Sequence, residues 1–234
     1  MRQIVFDLET TGFKFSQGHR IVEIGAVELI NGAITGRNFH TYVNPERDMP
    51  ADAQRVHGLS ASFLRDKPVF ANETVAPAFS KFVEGAELIA HNGIGFDLPF
   101  IQAELEAAGL QRLKNEITDT MLLARRKYPG APASLDALCS RFGVDTKERE
   151  RDGHGALLDS RLLAEVYIEL TGGAQAGLDF GRIGASSQDD DAGGQTSRGP
   201  RARPCALPPR ITDVEKSAHE AFLDEMGDDC LWRA

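Results

Sequence analysis

Asp7 and Glu9 stand two residues apart at the end of an apolar run, Ile4-Val5-Phe6. In a strand, side chains alternate with period two, so both carboxylates leave the same face. Two acids held side by side at the edge of a core resist joint ionisation unless a cation sits between them. Oxygen ligands of this kind suit hard ions such as Mg2+ or Mn2+. Read alone, the pair serves equally well as two charges emerging into solvent where a strand ends. Asp97 follows the segment HNGIGF, whose glycines permit a tight passage from strand to helix and place an acid near a helix N-terminus. By itself it reads as a cap or dipole partner. His154 and Asp159 complete the set within HGALLDSRLLAEVY, with the histidine at the helix start and Asp159 about one turn inside. Leu158, Leu162 and Leu163 flank Asp159 and draw it toward the apolar face, although a surface charge beside Arg161, or an acid paired with a Lys or Arg, is also compatible.

These side chains are useful only if a scaffold brings them together. Gln3 to Leu8 reads as a strand apolar on both faces, Ile21 to Ile30 as a second and Ile34 to Val43 as a third, with Asn31-Gly32 as the hairpin turn between the last two. Helical periodicity follows at residues 73 to 83 and 96 to 108, flanking a short strand at 87 to 91, and again at 134 to 142 and 155 to 171. Hairpin-linked strands beside the first, then strand and helix in alternation, predict an α/β fold with a mixed sheet covered by helices.

The 234 residues suffice for one ordinary domain with surplus chain. A net charge of −9 excludes coating of nucleic acid or anionic membrane by bulk charge, so any nucleic-acid contact must be local. Apolar runs are short and interrupted, as by Glu23 and Glu28, which excludes a membrane span. The chain opens directly into a strand-like run without a secretory leader, and its three cysteines are odd in number and widely spaced, so a cytoplasmic protein with reduced thiols is expected. Composition changes near residue 172. Residues 181 to 210 hold five Gly, four Pro and three Ser without an aromatic, a composition expected of a flexible tether. Helical character returns from Ile211 to Met226, with a capping box at Thr212 and Glu215 and an apolar stripe of Ile211, Val214, Ala218 and Phe222. Such a helix either meets another protein or folds back on its own domain.

The segments VFDLETTG, HNGIGFD and HGALLD resemble the three motifs of the DEDDh 3′-to-5′ exonucleases. RQIVFDLETTG, ITDTMLLARRKYPG, SLDALCSRFGVD, HGALLDSRLLAEVY and the terminal CLWRA resemble, more narrowly, the epsilon-type proofreading subunits of bacterial DNA polymerase III. The resemblance covers residues 2 to about 180 and the last two dozen. It departs in the second motif, where Gly93, Ile94 and Gly95 separate Asn92 from Phe96 and the epsilon pattern has two residues; related animal repair exonucleases share the longer spacing.

The resemblance implies a ribonuclease H-like mixed five-stranded sheet flanked by helices, with a flexible C-terminal tail. It implies hydrolysis of the 3′-terminal phosphodiester of DNA by two divalent cations, Mg2+ or Mn2+, with release of nucleoside 5′-monophosphates. Asp7 would bridge the ions, Glu9 and Asp159 would complete the shell of the one beside the attacking water, and Asp97 would support the second through waters. His154 would be the general base, since an imidazole titrates near neutrality. Thr10, Thr11, Val56, His57, His91, Asn92 and Phe96 would contact a single-stranded or frayed primer terminus, with turn or core roles as the alternative for the threonines, Val56 and Phe96. A mispaired end frays more easily, so mismatch preference needs no reading of bases.

Partners follow by the same resemblance. Gln175, Leu178 and Phe180 in QAGLDF resemble a bacterial sliding-clamp binding motif. Phe222, Leu231 and Trp232 would belong to the segment that binds the catalytic alpha subunit, and a small accessory subunit is compatible with the family. The expected layout is an exonuclease domain over residues 1 to 174, a linker over 175 to 210 and a polymerase-binding segment over 211 to 234. The alternatives are a stand-alone exonuclease of RNA trimming or DNA repair, and a chain that mainly links polymerase to clamp.

Overall fold

The computed structural model describes residues 1–172 and 211–226. Five strands, β1 (Arg2–Thr10), β2 (Ile21–Ile30), β3 (Ala33–Tyr42), β4 (Glu87–Ala90) and β5 (Ile117–Asp119), form one sheet in the order β3-β2-β1-β4-β5. β1 to β3 run antiparallel, while β1, β4 and β5 are parallel, giving the expected mixed sheet. The β2–β3 turn is made by Asn31 and Gly32, at φ 52° and 79°, the left-handed pair that a two-residue hairpin requires.

Alternation along β1 sorts its side chains. Ile4, Phe6 and Leu8 join Phe79, Ile101 and Leu105 from helices α3 (Ala76–Val83) and α4 (Asp97–Ala107) on one face. Val5 faces the other way, with Val27 and Ile89, against Leu163, Ala164 and Tyr167 of helix α8 (Ala156–Thr171). The odd-numbered residues of β1 therefore point toward α8, and Asp7 and Glu9 are among them.

Several elements escaped the sequence reading. Helices α1 (Ala51–His57), α2 (Ala61–Leu64), α5 (Thr120–Lys127), α6 (Leu135–Phe142) and α7 (Lys147–Asp152) complete the domain, and of these only α6 was expected. β5 has three residues, too few to show a period. The helix expected from residue 73 begins at Ala76, because the Asn72 side chain accepts from the backbone N–H of Thr74 and closes a turn instead.

A second unit holds helix α9 (Asp213–Glu225). The expected capping box is present: Glu215 N–H donates to the Thr212 hydroxyl, and Thr212 N–H donates to the Glu215 carboxylate. Ile211, Val214 and Phe222 are exposed, Phe222 to 59%. Gln175, Leu178, Phe180, Leu231 and Trp232 lie outside the described residues. No described helix is long and apolar enough to cross a membrane.

Candidate active site

In the β1–β2 ladder Asp7 lies opposite Gly25, and Glu9 opposite Glu23. A Cβ built on Gly25 would stand 2.1 Å from the backbone nitrogen of Leu157 and 2.3 Å from the carbonyl oxygen of Ala156. No side chain fits there. The first turn of α8 thus rests on the sheet beside Asp7, and the Ser160 hydroxyl, 2.9 Å from the Gly25 carbonyl oxygen, ties it down. This contact delivers Asp159, only 4% exposed, to the carboxylates of β1.

Ligand atoms of Glu9, Asp159 and the exposed His154 all lie within 4.8 Å of one another. Nδ1 of His154 is 3.3 Å from an Asp159 carboxylate oxygen. Asp97 opens α4, 2% exposed, and its Oδ1 has no hydrogen-bond partner. Asp7 keeps partial access to solvent and feels the charges of Asp97, Glu9, Asp159 and Glu23, while the group of ligand atoms within 4.8 Å holds Glu9, His154 and Asp159 without Asp7 or Asp97.

The electrostatics follow from that crowding. Burial, then the neighbouring carboxylates led by Asp97, holds the Asp7 carboxyl well above its ordinary range. Glu9 is pushed up to about 8 by burial, with Asp159 and Glu23 adding to it and Arg149 opposing. Asp97 rises to about 7, again by burial, although the backbone N–H groups of Asp97 and Leu8 favour its charged form. Asp159 is also raised by burial, against the pull of Arg149 and His154.

The donor set is what a hard divalent cation requires: clustered carboxylates that cannot all ionise unaided, and buried oxygens on Asp97 and Asp159 without aligned donors. Glu9, Asp159 and His154 have ligand atoms close enough together to share such an ion, and the buried carboxylate of Asp97 has an oxygen without a hydrogen-bond partner. Cys139 does not compete for one; it is fully buried elsewhere and its thiol is pushed up to about 11 by burial.

A family model described as "Exonuclease" matches residues 4–167. The DNA polymerase III subunit epsilon of Rickettsia felis is 44% identical over 231 residues, covering 97% of both chains. That of Escherichia coli is 42% identical over 244 residues, covering 100% of this chain and 98% of its own. The chain belongs to the exonuclease family, among the DNA polymerase III epsilon subunits. A structure of exonuclease X in complex with 5′-overhanging duplex DNA is 30% identical, with a TM-score of 0.57 over 72% of this chain and 90% of that one. E. coli exonuclease I in complex with a dA16 oligonucleotide shares the fold at 16% identity, with a TM-score of 0.59 over 73% of this chain and 40% of its own.

The remaining positions of this epsilon-family chain divide between surface and scaffold. Val56 and Asn92 are exposed. Asn92 adopts φ 60° to turn the chain out of β4. Thr11 is buried, its hydroxyl 3.2 Å from Nδ1 of His19 and accepting from Arg20 N–H; the Thr10 hydroxyl donates to the Gly12 carbonyl. Both hydroxyls therefore build the loop after β1. His57 is buried and accepts from Leu59 N–H through Nδ1, while Nε2 has no hydrogen-bond partner. His91 lies 2.9 Å from the Thr120 hydroxyl. Phe96 packs on Phe100 at the core edge.

Three residues of the site were not recognised from sequence. Asp119 accepts from the N–H groups of Met121 and Leu122 to cap α5, and its other oxygen accepts from Ile94 N–H, which fastens the lengthened HNGIGF loop. Glu23, 3% exposed, pairs with His40 at 2.7 Å beside Glu9. Arg149 of α7 reaches Asp159 at 2.7 Å.

Proposed function

We propose that this chain, an exonuclease of the epsilon family, removes nucleotides from the 3′ end of DNA as the proofreading subunit of the bacterial replicative polymerase. The observation that supports the reading is the approach of Glu9 on β1 to His154 and Asp159 at the start of α8, with Asp7 and the buried Asp97 electrostatically coupled to them. Two divalent cations, Mg2+ or Mn2+, would be held by Asp7, Glu9 and Asp159 with Asp97 in support. When bound, such ions make a water acidic at neutral pH and neutralise charge on the leaving 3′-oxygen.

The protein's own part is positional. Asp7 and Glu9 are fixed by the strand, and Asp159 by the close approach of α8 to Gly25. His154 sits in the turn before α8, exposed enough to meet a substrate, and its ring nitrogen beside Asp159 takes the water's proton. Val56, His57, His91, Asn92 and Phe96, with the Thr10–Thr11 turn, surround the terminal nucleotide. A frayed mismatch enters such a single-strand site at lower cost than a paired end.

The exposed apolar residues of α9 support a role for residues 211 to 234 in binding the catalytic alpha subunit. The QAGLDF sequence supports a sliding-clamp contact through Gln175, Leu178 and Phe180. Tethering of this kind raises the effective concentration of the nuclease at the primer end. Replacing Asp7 by Ala tests the assignment: metal-dependent 3′ degradation should fall at least about a hundredfold while polymerase association persists. Undiminished degradation would defeat it.

A further inference from the structure

The Arg149 side chain is 10% exposed and turned inward from the short helix α7. Its Nε lies 2.7 Å from Oδ1 of Asp159, a charge contact without hydrogen-bond alignment. Its Nη2 donates to Oδ2 of Asp159 at 3.0 Å and lies 2.9 Å from Nδ1 of His154. Nη1 donates to Asp136.

A guanidinium has donors and no acceptor, so in the tautomer that makes this bond Nδ1 of His154 accepts it with its lone pair, whereas the tautomer that donates to Asp159, 3.3 Å away, cannot. That lone pair is the one directed at the cluster, where a base would act. Asp159 also offers a carboxylate oxygen to the group of Glu9, His154 and Asp159 that a divalent cation would join. A guanidinium and a divalent ion drawn to the same carboxylate repel each other and crowd the same space, so the two compete for Asp159. Arg149 has somewhere to go: a cavity of about 520 Å3 beside it is lined by Asp136, Thr146 and Glu150 among others.

We propose that Arg149 is a positioning residue that stands in for the divalent cation, neutralising Asp159 and engaging Nδ1 of His154 until the ion takes the carboxylate. Arg149 then turns toward Asp136, and the imidazole lone pair becomes free in the same movement. Loading of the site and unmasking of the base are thereby one event. The inference rests on the reading of Asp159 as a metal ligand.

The test is Mn2+ binding to the full chain without DNA, followed by the paramagnetic resonance of free Mn2+, for wild type, Arg149→Gln and Asp159→Asn. Removing the competitor should tighten Mn2+ binding about fivefold or more in Arg149→Gln, the scale of a typical coupling between sites. Unchanged or weaker binding by a folded Arg149→Gln protein, with Asp159→Asn weakened, overturns the role of Arg149 alone. Binding that Asp159→Asn leaves intact overturns the metal assignment as well. The wild-type chain gives a second readout that no folding defect can obscure. The Nη2 hydrogens of Arg149, which donate to Asp159, should be protected from exchange in the metal-free protein and lose that protection on saturation with Mg2+; protection that survives loading contradicts the proposal.

Discussion

Gly25 and Ala156 meet backbone to backbone: a Cβ on Gly25 would fall 2.3 Å from the carbonyl oxygen of Ala156. Because Gly25 is also the ladder partner of Asp7, this absence of a side chain sets how closely α8 carries Asp159 to the β1 carboxylates. We predict that Gly25→Ala costs about 1–3 kcal/mol of stability, the usual scale of overpacking, and lowers nuclease activity more than the stability loss alone accounts for. Thermal melts beside activity on a 3′-labelled oligonucleotide check this. Full activity in a stable variant would show that the close approach is dispensable.

The carboxylate cluster makes a prediction about pH. The folded Glu9 carboxyl sits at about 8 against an ordinary 4.5, so between those values the folded chain holds more protons than the unfolded one. Stability contributed by this group is present below about 4.5 and is lost as pH rises through about 8. In EDTA, Glu9→Gln should therefore flatten the decline of melting temperature with pH, and Mn2+ should reverse that decline in the wild type, because the ion requires the deprotonated acids. A pH slope in EDTA that Glu9→Gln leaves unaltered would refute this account of the cluster.

Asp119 is expected to matter through the loop it holds. Asp119→Ala removes the cap of α5 and the anchor of Ile94 N–H together, which predicts a loss of about 1 kcal/mol and a KM for oligonucleotide that rises while kcat changes less. Denaturant titration and steady-state kinetics separate the two effects. A fall confined to kcat would argue that the loop shapes the reacting centre instead of the substrate path.

Deleting residues 211 to 234 is predicted to abolish association with the polymerase catalytic subunit and to leave hydrolysis of a free oligonucleotide intact, since α9 belongs to a unit separate from the nuclease domain. Co-elution of purified proteins, with and without the deletion, decides the point. Retained co-elution would place the docking surface on the nuclease domain.

Spacing made the placement of three acids legible, since period two puts Asp7 and Glu9 on one face and a helix start at residue 156 puts Asp159 one turn in, while their reading as one site with Asp97 came from motif resemblance. Long strands and the large helices were legible for the same reason. Gly25 was not, since a glycine within a ten-residue apolar strand gives no sign of the helix that will press on it, whose first turn comes more than 130 residues later. Arg149 lay hidden in KERERD, a run that reads as a solvated charged surface and whose inward turn depends on a tertiary neighbour. Motif similarity marked Thr11 and Phe96, but the loop network around the Thr11 hydroxyl and the packing of Phe96 on Phe100 are contacts between segments that no local pattern states.

Four carboxylates from three stretches of chain, Asp7 with Glu9, Asp97 and Asp159, are expected to hold a pair of cations beside His154. Anomalous scattering from crystals soaked with Mn2+ and a nucleoside 5′-monophosphate measures it directly. Two peaks roughly 3.5–4 Å apart, one bounded by Asp7, Glu9 and Asp159 and the other by Asp7 and Asp97, with the phosphate touching both, are the predicted result. Manganese bound elsewhere, with these carboxylates left bare in the presence of the nucleotide, would contradict it.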